Sequence, residues 1–389
     1  MPVLNRVAEL YDEMVEWRRD FHAHPELSFD VFRTAEVVET KLKEFGCDEV
    51  VTGIGRTGVV GIIKGRKSSS GKCVGLRSDM DALPIPEQTG LPYASKTPGK
   101  MHACGHDGHM AMLLGAAKYL AETRNFDGQV ALIFQPAEED GGGGAKMVQD
   151  GMMERFGIQQ VFGMHNAPDF PIGAFGIRPG PLLASTDEYT VTICGKGGHA
   201  ARPHQSVDSM LIAAHIVASS QSVVARNLDP LDEMVVSTTS VQTESDASNV
   251  ISETTMLKGT VRCFSEENRA LARERLSAIF EHTAAALGGS VDVTWVRGYP
   301  PTLNDPDAAM FAADVADEIS PGCQRNVPPV MGAEDFSYML QARPGAMIMV
   351  GNGDSAECHH PAYDFADETM PAGASWWIRL TERAMPIEE

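Results

Sequence analysis

The chain begins with apolar residues spaced as on one face of a helix. From Leu4 to Trp17 they recur every three or four positions, and Pro25 follows soon after. Because proline cannot continue the interior of a helix, we predict a first amphipathic helix that ends before Pro25. A similar spacing over residues 34–45 predicts a second helix.

Beyond residue 48, short β-like runs alternate with helical patterns. Predicted strands cover 49–52, 58–63, 73–77, 129–134 and 160–164, and predicted helices cover 107–123 and 141–150. Apolar strands that alternate with helices are typical of a parallel sheet covered by helices. We therefore predict an α/β domain with a central, mostly parallel sheet flanked by helices.

The segment Gly53–Gly58 matches the G-x-G-x-x-G pattern of dinucleotide-binding loops. That pattern requires a helix after the last glycine, so that the helix N-terminus can meet the pyrophosphate. Here the β run VVGIIKG follows instead. We therefore interpret the segment as a turn between two strands and reject a dinucleotide site.

The pattern changes near Ser185. Strand-like runs are now followed by two long helical patterns, at 206–226 and 266–287, and the proline-rich GYPPTLNDP closes the region. This order is typical of an α+β domain with its helices on one face of the sheet. The predicted domains are an α/β domain formed by 1–185 and 298–389, and an α+β insert at 186–297.

Composition narrows the choice of partners and compartment. A chain of 389 residues exceeds the size at which one core stops growing, which favours two domains. The formal net charge of −21 argues against nucleic acids and anionic membranes as partners. An odd number of scattered cysteines favours reduced thiols in the cytoplasm. No apolar stretch approaches the roughly 18–20 residues that span a bilayer, so we expect no membrane span. Acidic residues interrupt the apolar periodicity near the N-terminus, so we expect no signal peptide.

The segment Met101–His109, MHACGHDGH, concentrates side chains that bind metals. Thiolate and imidazole hold transition metals at neutral pH, and Cys104 and His106 offer one of each. Each histidine or cysteine considered singly is more typical of an ordinary packed residue. Their density in nine positions nevertheless favours a metal site.

Further candidate ligands follow short apolar runs elsewhere in the chain. They are Glu138, Glu139, His165, His359 and His360. Ligands of open α/β sheets gather outside the carboxyl ends of the strands, so we expect these side chains at one edge. Cys104 and His106 would point to different faces of a helix, so we place both on an extended segment before a helix that begins at Asp107.

The adjacent carboxylates Glu138 and Glu139 suit a metal hydrolase. One can bind a metal while its neighbour moves protons. Taken by itself, such a pair before a run of glycines is more typical of a solvated loop or of a charge that favours a helix N-terminus.

Six segments carry a resemblance to a known family. HACGHDGH, QPAEEDGGGGAKM, FGMHNAP, GKGGHAARPH, MGAEDF and CHHPAYDF occur in the order found in the M20 metallopeptidase superfamily. They resemble its aminoacylase, hippurate hydrolase and indole-acetyl-amino-acid hydrolase branch, and the resemblance spans essentially the whole chain. It implies a catalytic α/β domain, an inserted lid and dimerisation domain, and a homodimer.

The resemblance also implies two divalent metal ions per subunit. Their ligands would be Cys104, His106, Glu139, His165 and His359, with the Cys104 thiolate as the bridge. Glu138 corresponds to the general base, and the H-x-P pattern of this branch selects His359 over His360. Asp79 stands where other members carry a histidine ligand, so we assign it no metal. Manganese, zinc, cobalt and nickel all remain open, because the mixed ligand set admits each of them.

In the insert, the resemblance implies substrate roles for three residues. His199 would reach the substrate carbonyl, in its own or the partner subunit's site. Asn249 and Arg262 would hold the substrate carboxylate, for which a planar guanidinium is suited. Without the resemblance, these positions are typical of surface and turn residues.

We therefore predict a dinuclear metal-dependent amidohydrolase that cleaves N-acyl amino acids into a carboxylic acid and a free amino acid. A metal-dependent dipeptidase or exopeptidase would use the same chemistry and remains open. A metal-binding protein without catalysis is the alternative from another class. Glu138 argues against that alternative, because a storage site needs no additional carboxylate beside its ligands.

Overall fold

The computed structural model describes residues 4–388, which form two units. The first unit comprises the chain through Leu182, together with Leu303–Pro328 and the segment from Asp335 onward. The second comprises Leu183–Thr302 and Pro329–Glu334. Residues 1–3 of the predicted first domain, and residue 389 at its end, lie outside the described part.

Helices and strands alternate along much of the chain. The helices are α1 (Asn5–Glu9), α2 (Tyr11–Ala23), α3 (Phe32–Phe45), α4 (His106–Thr123), α5 (Gly143–Gln149), α6 (Met152–Arg155), α7 (Ser209–Arg226), α8 (Glu266–Ala286), α9 (Pro306–Ile319), α10 (Ser337–Ala342) and α11 (Met370–Ala384), with 3₁₀ helices at Pro203–Gln205 and Asp367–Thr369. The strands are β1 (Glu49–Ile54), β2 (Gly58–Lys64), β3 (Cys73–Asp79), β4 (Gln129–Gln135), β5 (Gln160–Pro168), β6 (Phe175–Gly176), β7 (Gly180–Leu183), β8 (Asp187–Cys194), β9 (Gly198–His199), β10 (Met234–Thr243), β11 (Val250–Ile251), β12 (Thr254–Cys263), β13 (Ser290–Arg297), β14 (Thr302–Asn304) and β15 (Gly345–Gly353). No helix among the described residues combines the length and apolar character that crossing a membrane requires.

A seven-stranded sheet forms the centre of the first unit, in the order β1-β2-β4-β3-β5-β15-β6. The four central strands, β4, β3, β5 and β15, run parallel to one another. The pairings at the margins, β1 with β2, β2 with β4 and β6 with β15, are antiparallel. Every residue of β3 is buried, which explains why the central strands are continuous apolar runs. The prediction of an α/β fold with a largely parallel central sheet is confirmed.

Helix α4 carries part of the candidate site at its N-terminal end. All residues from His106 to Ala117 are buried, as the Ala- and Leu-rich pattern requires. The helix begins at His106, so the prediction that His106 precedes the helix was wrong. Gly105 is the cause: its φ of 87° turns the chain sharply there, and an added Cβ would collide with Asn166.

The structure can be compared with the predictions for the N-terminal helix and for the glycine-rich segment. The chain forms two helices, α1 and α2, which are separated at Leu10, and α2 ends before Pro25 as predicted. Within Gly53–Gly58, residues 55–57 form the turn that joins the antiparallel strands β1 and β2, and Gly53 and Gly55 have φ values of 82° and 61°. The interpretation of this segment as a turn is confirmed.

The second unit contains a four-stranded antiparallel sheet in the order β10-β12-β8-β13. Burial alternates along β8, and helices α7 and α8 pack on the sheet and on each other. One face of the sheet is therefore covered by both helices, as predicted for an α+β insert. The side chains of Asp208 and Ser265 cap the N-termini of α7 and α8.

Candidate metal centre

The carboxyl ends of the central strands deliver the candidate residues to one edge of the sheet. Asp79 is the last residue of β3, Glu138 and Glu139 lie in the turn after β4, and His359 lies in the loop after β15. His165 lies inside β5 and not at its end, because β5 remains paired with β15 through Pro168. Parallel strands end on the same side, so these loops meet.

A first group of donor atoms comes from Cys104, His106 and His165, all within 4.8 Å of one another. The Cys104 sulfur lies 3.3 Å from His165 Nε2. The Nδ1 of His106 lies 2.8 Å from the backbone carbonyl of Asp81. That carbonyl can only accept, so Nδ1 carries the proton and the Nε2 lone pair is available to a metal.

A second group of donor atoms comes from Cys104, Glu139 and His359, again within 4.8 Å of one another. His359 Nε2 lies 3.3 Å from Glu139 Oε2. The two groups share the Cys104 sulfur and together contain the five residues that the family resemblance selected. His360 belongs to neither group. Its side chain is exposed, as is that of His359, but its Nδ1 accepts a hydrogen bond from the Ala362 amide.

The residues fit a pair of divalent cations. His106 Nε2 and Glu139 Oε1 are buried and have no hydrogen-bond partner among the described residues. Burial lowers the pKa of His106, but Asp79, the hydrogen bond to Asp81, and Glu139 outweigh it and raise the pKa to about 10. Buried ligand atoms that lack a hydrogen-bond partner and lie among several carboxylates favour bound cations. Thiolate, imidazole and carboxylate together suit divalent transition metals.

Glu138 lies beside both groups without belonging to either, although its carboxylate, His106 and Glu139 also offer donor atoms within 4.8 Å of one another. Glu138 is only 6% exposed, and its Oε2 lies 3.8 Å from His106 Nε2. Buried Asp81 accepts hydrogen bonds from the backbone amides of Glu138 and Glu139, at 3.0 and 3.1 Å. Asp81 therefore holds the turn that presents both carboxylates.

A ring of polar contacts surrounds the candidate ligands. His109 bridges Asp79 Oδ1 and Asn166 Oδ1, at 2.7 Å each, and Asn166 reaches the Tyr363 hydroxyl at 2.7 Å. Both ring nitrogens of His109 are thus engaged, so His109 supports the site and is not offered to a metal. His102 is also buried, and burial lowers its pKa to about 3.

Sequence reasoning missed the ionic centre around Arg77. This fully buried guanidinium contacts Asp79 at 2.7 Å, Asp335 at 3.0 Å and Gln135 at 2.9 Å. Asp335 also accepts from the Gly144 amide at 2.7 Å, close to the start of α5. The available signal was an arginine in the apolar run CVGLRSD, because a charge within a buried strand requires a buried partner.

Sequence reasoning also missed Cys358. The Cys104 and Cys358 thiols share a hydrogen bond, which lowers the pKa of Cys358 to about 6 and, with burial, raises the pKa of Cys104. Coordination to a metal deprotonates a thiol outright, so the raised pKa does not exclude Cys104 as a ligand. Cys358 lies outside both donor groups.

The three predicted substrate residues lie in the second unit. His199 is on β9 and pairs with Val250 of β11, and the Ala200 amide donates to the Asn249 carbonyl at 3.0 Å. His199 and Asn249 are thus on neighbouring backbone segments. Arg262 lies on β12 and is half-buried, and burial lowers the pKa of its guanidinium.

The fold and the donor set are those of a metal-dependent hydrolase. The chain belongs to peptidase family M20/M25/M40, whose pattern it matches over residues 75–383. It is 39% identical to the hippurate hydrolase of Campylobacter jejuni over 98% of both chains. It is also 39% identical to the N-acetyl-L-cysteine deacetylase of Bacillus subtilis, over 96% of this chain and 88% of that one.

A solved structure is similar over nearly the full length. It is that of the Bacillus subtilis YXEP protein, described as a dinuclear metal binding peptidase from the M20 family. The TM-score is 0.84 with 34% identity, covering 97% of this chain and 99% of that one. The prediction of the family is therefore confirmed.

Proposed function

We propose that this protein is a dinuclear metal-dependent amidohydrolase that cleaves N-acyl amino acids into a carboxylic acid and a free amino acid. The observation that carries the proposal is the pair of donor groups that share Cys104, with the Glu138 carboxylate beside them. The names of the Campylobacter jejuni and Bacillus subtilis relatives, which describe hydrolysis of acylated amino acids, support the substrate class.

The proposed metal ligands are Cys104, His106, Glu139, His165 and His359. Bound divalent cations lower the pKa of coordinated water to about 7 and polarise a carbonyl oxygen. Manganese, zinc, cobalt and nickel are all compatible with this mixed donor set. The orphaned His106 Nε2 and Glu139 Oε1 support the presence of such ions.

Glu138 is the proposed general base and acid. Its carboxylate accepts a proton from the attacking water as the oxygen adds to the amide carbon, and it then donates that proton to the leaving nitrogen. Asp81 supports this role by fixing the backbone of residues 138 and 139 through two hydrogen bonds. The preorganised turn keeps the carboxylate in position through both proton transfers.

The second unit is proposed to complete substrate recognition. His199 would stabilise the developing oxyanion, in its own or the partner subunit's site, and Asn249 and Arg262 would hold the substrate carboxylate. Arg262 forms no salt bridge within 4.0 Å among residues 4–388, and Glu188 attracts it only from a longer distance, so its guanidinium can bind a substrate carboxylate. We assign the catalytic role to 1–185 and 298–389 and the lid and dimerisation role to 186–297.

We also propose a homodimer in a reducing compartment, the cytoplasm. All seven cysteines are free thiols, which is the usual state of cytoplasmic proteins. A dipeptidase or exopeptidase is the second candidate function, because the YXEP protein is described as a peptidase. The two activities share their chemistry and differ in whether the substrate carries an acyl group or a free amine.

A substrate panel tests the proposal. The protein is treated with a chelator, reloaded separately with manganese, zinc, cobalt or nickel, and assayed on benzoyl-glycine, acetyl-methionine, indole-acetyl-alanine and alanyl-glycine. Metal-restored cleavage of the acylated substrates supports the amidohydrolase. Cleavage of alanyl-glycine alone supports the dipeptidase, and no cleavage with both metals bound contradicts catalysis of this class.

Glu138→Gln separates the base from the ligands. We expect metal content close to that of the wild type and kcat lower by about 10²–10⁴-fold, the usual contribution of acid–base catalysis. Asp140→Asn is the matched control, because Asp140 is an exposed carboxylate two positions away. Full turnover in the Glu138 variant refutes the assignment.

A further inference from the structure

The thiols of Cys104 and Cys358 lie together at the candidate metal centre. The His359 amide donates to the Ala103 carbonyl at 2.7 Å, so the peptide groups that flank the two cysteines are themselves hydrogen-bonded. The Cys104 sulfur contacts His165 at 3.3 Å, and the Cys358 sulfur lies 3.7 Å from Nδ2 of the next residue, Asn166. The two side chains thus occupy one small space.

The two thiols differ in their exposure to solvent. Cys104 is buried and takes part in both donor groups, whereas Cys358 is half-buried and takes part in neither. Cys358 therefore has no role in the proposed reaction, yet it places a second sulfur next to the shared ligand. Because the flanking peptide groups are hydrogen-bonded and both sulfurs contact the consecutive residues His165 and Asn166, the two sulfurs can approach each other without large movements of the backbone.

We infer that Cys104 and Cys358 are a thiol–disulfide pair that closes in metal-free, oxidised protein and prevents metal binding until it is reduced. The blocking of metal binding rests on the proposed function, because it requires Cys104 to be a ligand. Formation of the disulfide itself does not. The site is thus a modification site as well as a metal centre.

Hydrogen peroxide can oxidise the two thiols to a disulfide in two steps. The more accessible Cys358 thiol attacks one peroxide oxygen, the O–O bond breaks, and the products are a sulfenic acid and one water. The Cys104 thiol then attacks the sulfenic sulfur, an S–S bond forms, and a second water leaves. Two thiols are oxidised and one peroxide is reduced to two waters. A thiol reductant reverses the reaction by exchange.

The test uses the full chain, freed of metal with a chelator and then treated with a small excess of hydrogen peroxide. Intact mass reports the loss of two hydrogens, and mapping of unreduced peptides identifies the linked cysteines. Metal content after addition of zinc is measured by elemental analysis, before and after reduction with a phosphine. These measurements do not depend on catalytic activity. A parallel sample keeps its metal during the peroxide treatment.

We expect a link between Cys104 and Cys358, loss of zinc uptake, and recovery of both free thiols and zinc uptake on reduction. Protein that keeps its metal should form the link at least about tenfold more slowly, since a coordinated thiolate is not free to attack. Cys358→Ser should not form the link and should take up zinc after peroxide treatment. Cys47→Ser, which removes another half-buried thiol, should behave as the wild type.

Other outcomes have distinct meanings. A different cysteine pairing, or oxidation of Cys358 without a link to Cys104, overturns the inference. A link between the two that leaves zinc uptake intact supports the disulfide but refutes Cys104 as a ligand, and with it the proposed centre. Loss of zinc uptake in Cys358→Ser before any oxidation overturns the separation of roles, because Cys358 would then be a ligand itself.

Discussion

The buried ionic centre around Arg77 should contribute strongly to the stability of the first unit. Arg77, Asp79 and Asp335 are all fully buried, and the arginine contacts both carboxylates within 3.0 Å. Arg77→Met keeps the length and much of the volume of the side chain but removes the positive charge. The variant therefore leaves two aspartates buried without their shared partner.

The expected magnitude follows from that geometry. Breaking a buried pair by removing one partner costs about 3–5 kcal/mol, because the remaining charge is desolvated and uncompensated. Here two carboxylates lose the same cation, which favours the upper end of that range. The other partners of these carboxylates, the His109 ring and the Gly144 amide, limit the loss. The free energy of unfolding should thus fall by about 4–5 kcal/mol, a large fraction of a typical domain stability.

Denaturant unfolding in the presence of a chelator measures this loss without a contribution from bound metal. Trp17, Trp376 and Trp377 report on the first unit by fluorescence, and Trp295→Phe removes the signal of the second unit. The control is Arg33→Met, which breaks the partly exposed pair with Asp20. That pair should contribute no more than about 1 kcal/mol.

Substitutions of Arg77 and Asp335 should be energetically coupled. Asp335→Asn should cost less in the Arg77→Met background than in the wild type, because the aspartate has then already lost its cation. Additive effects, or an Arg77→Met loss as small as that of the Arg33 control, would refute the view that the centre acts as one buried ionic unit.

Four further substitutions distinguish the metal ligands from the residues that support them and from the substrate-binding residues. Asp81→Asn should lower kcat/KM or metal affinity by about 10–100-fold, because it disturbs the amides of residues 138 and 139, and parallel kinetics and metal titration measure both. His359→Ala should lose metal by elemental analysis whereas His360→Ala should retain it, and equal loss would contradict the choice between them. Arg262→Lys should raise KM about tenfold or more with little change in kcat, as expected when a charge-assisted hydrogen bond of about 1.5–3 kcal/mol is lost. A kcat effect without a KM effect would argue against carboxylate binding by Arg262.

The gathering of the candidate ligands at one edge of the sheet can be predicted from the sequence. The contacts that hold these ligands in place are harder to predict. Apolar runs predict β3, β4 and the first part of β5, whereas β15 was not predicted as a strand. Ligands that follow apolar runs were expected at one edge, because parallel strands must end on the same side. Local motifs then place Cys104, His106, Glu138 and Glu139 there. Each step depends only on a short stretch of chain, which is why it can be inferred without coordinates.

The contacts that hold this arrangement together depend on distant parts of the chain. Arg77 meets Asp335, which is 258 positions away, and no periodicity links the two. The pairing of Cys104 with Cys358 likewise depends on how two loops meet. The start of α4 at His106 depends on the left-handed conformation of Gly105, a conformation that glycine permits but does not require. Such features follow from tertiary packing.

Some buried carboxylates already have a basic partner, and this distinguishes them from the carboxylates that could bind metal ions. Asp79, His106 and His109 lie close enough to hold a cation, but Asp79 is already bound by Arg77 and His109. Asp107, beside His106 in the chain, is paired with buried Arg18 at 2.9 Å. Glu139, in contrast, keeps an oxygen without a hydrogen bond among the described residues. Arginine and histidine thus neutralise Asp79 and Asp107, and the carboxylate of Glu139 remains for the proposed metal ions, because a buried charge must find a partner of one kind or the other.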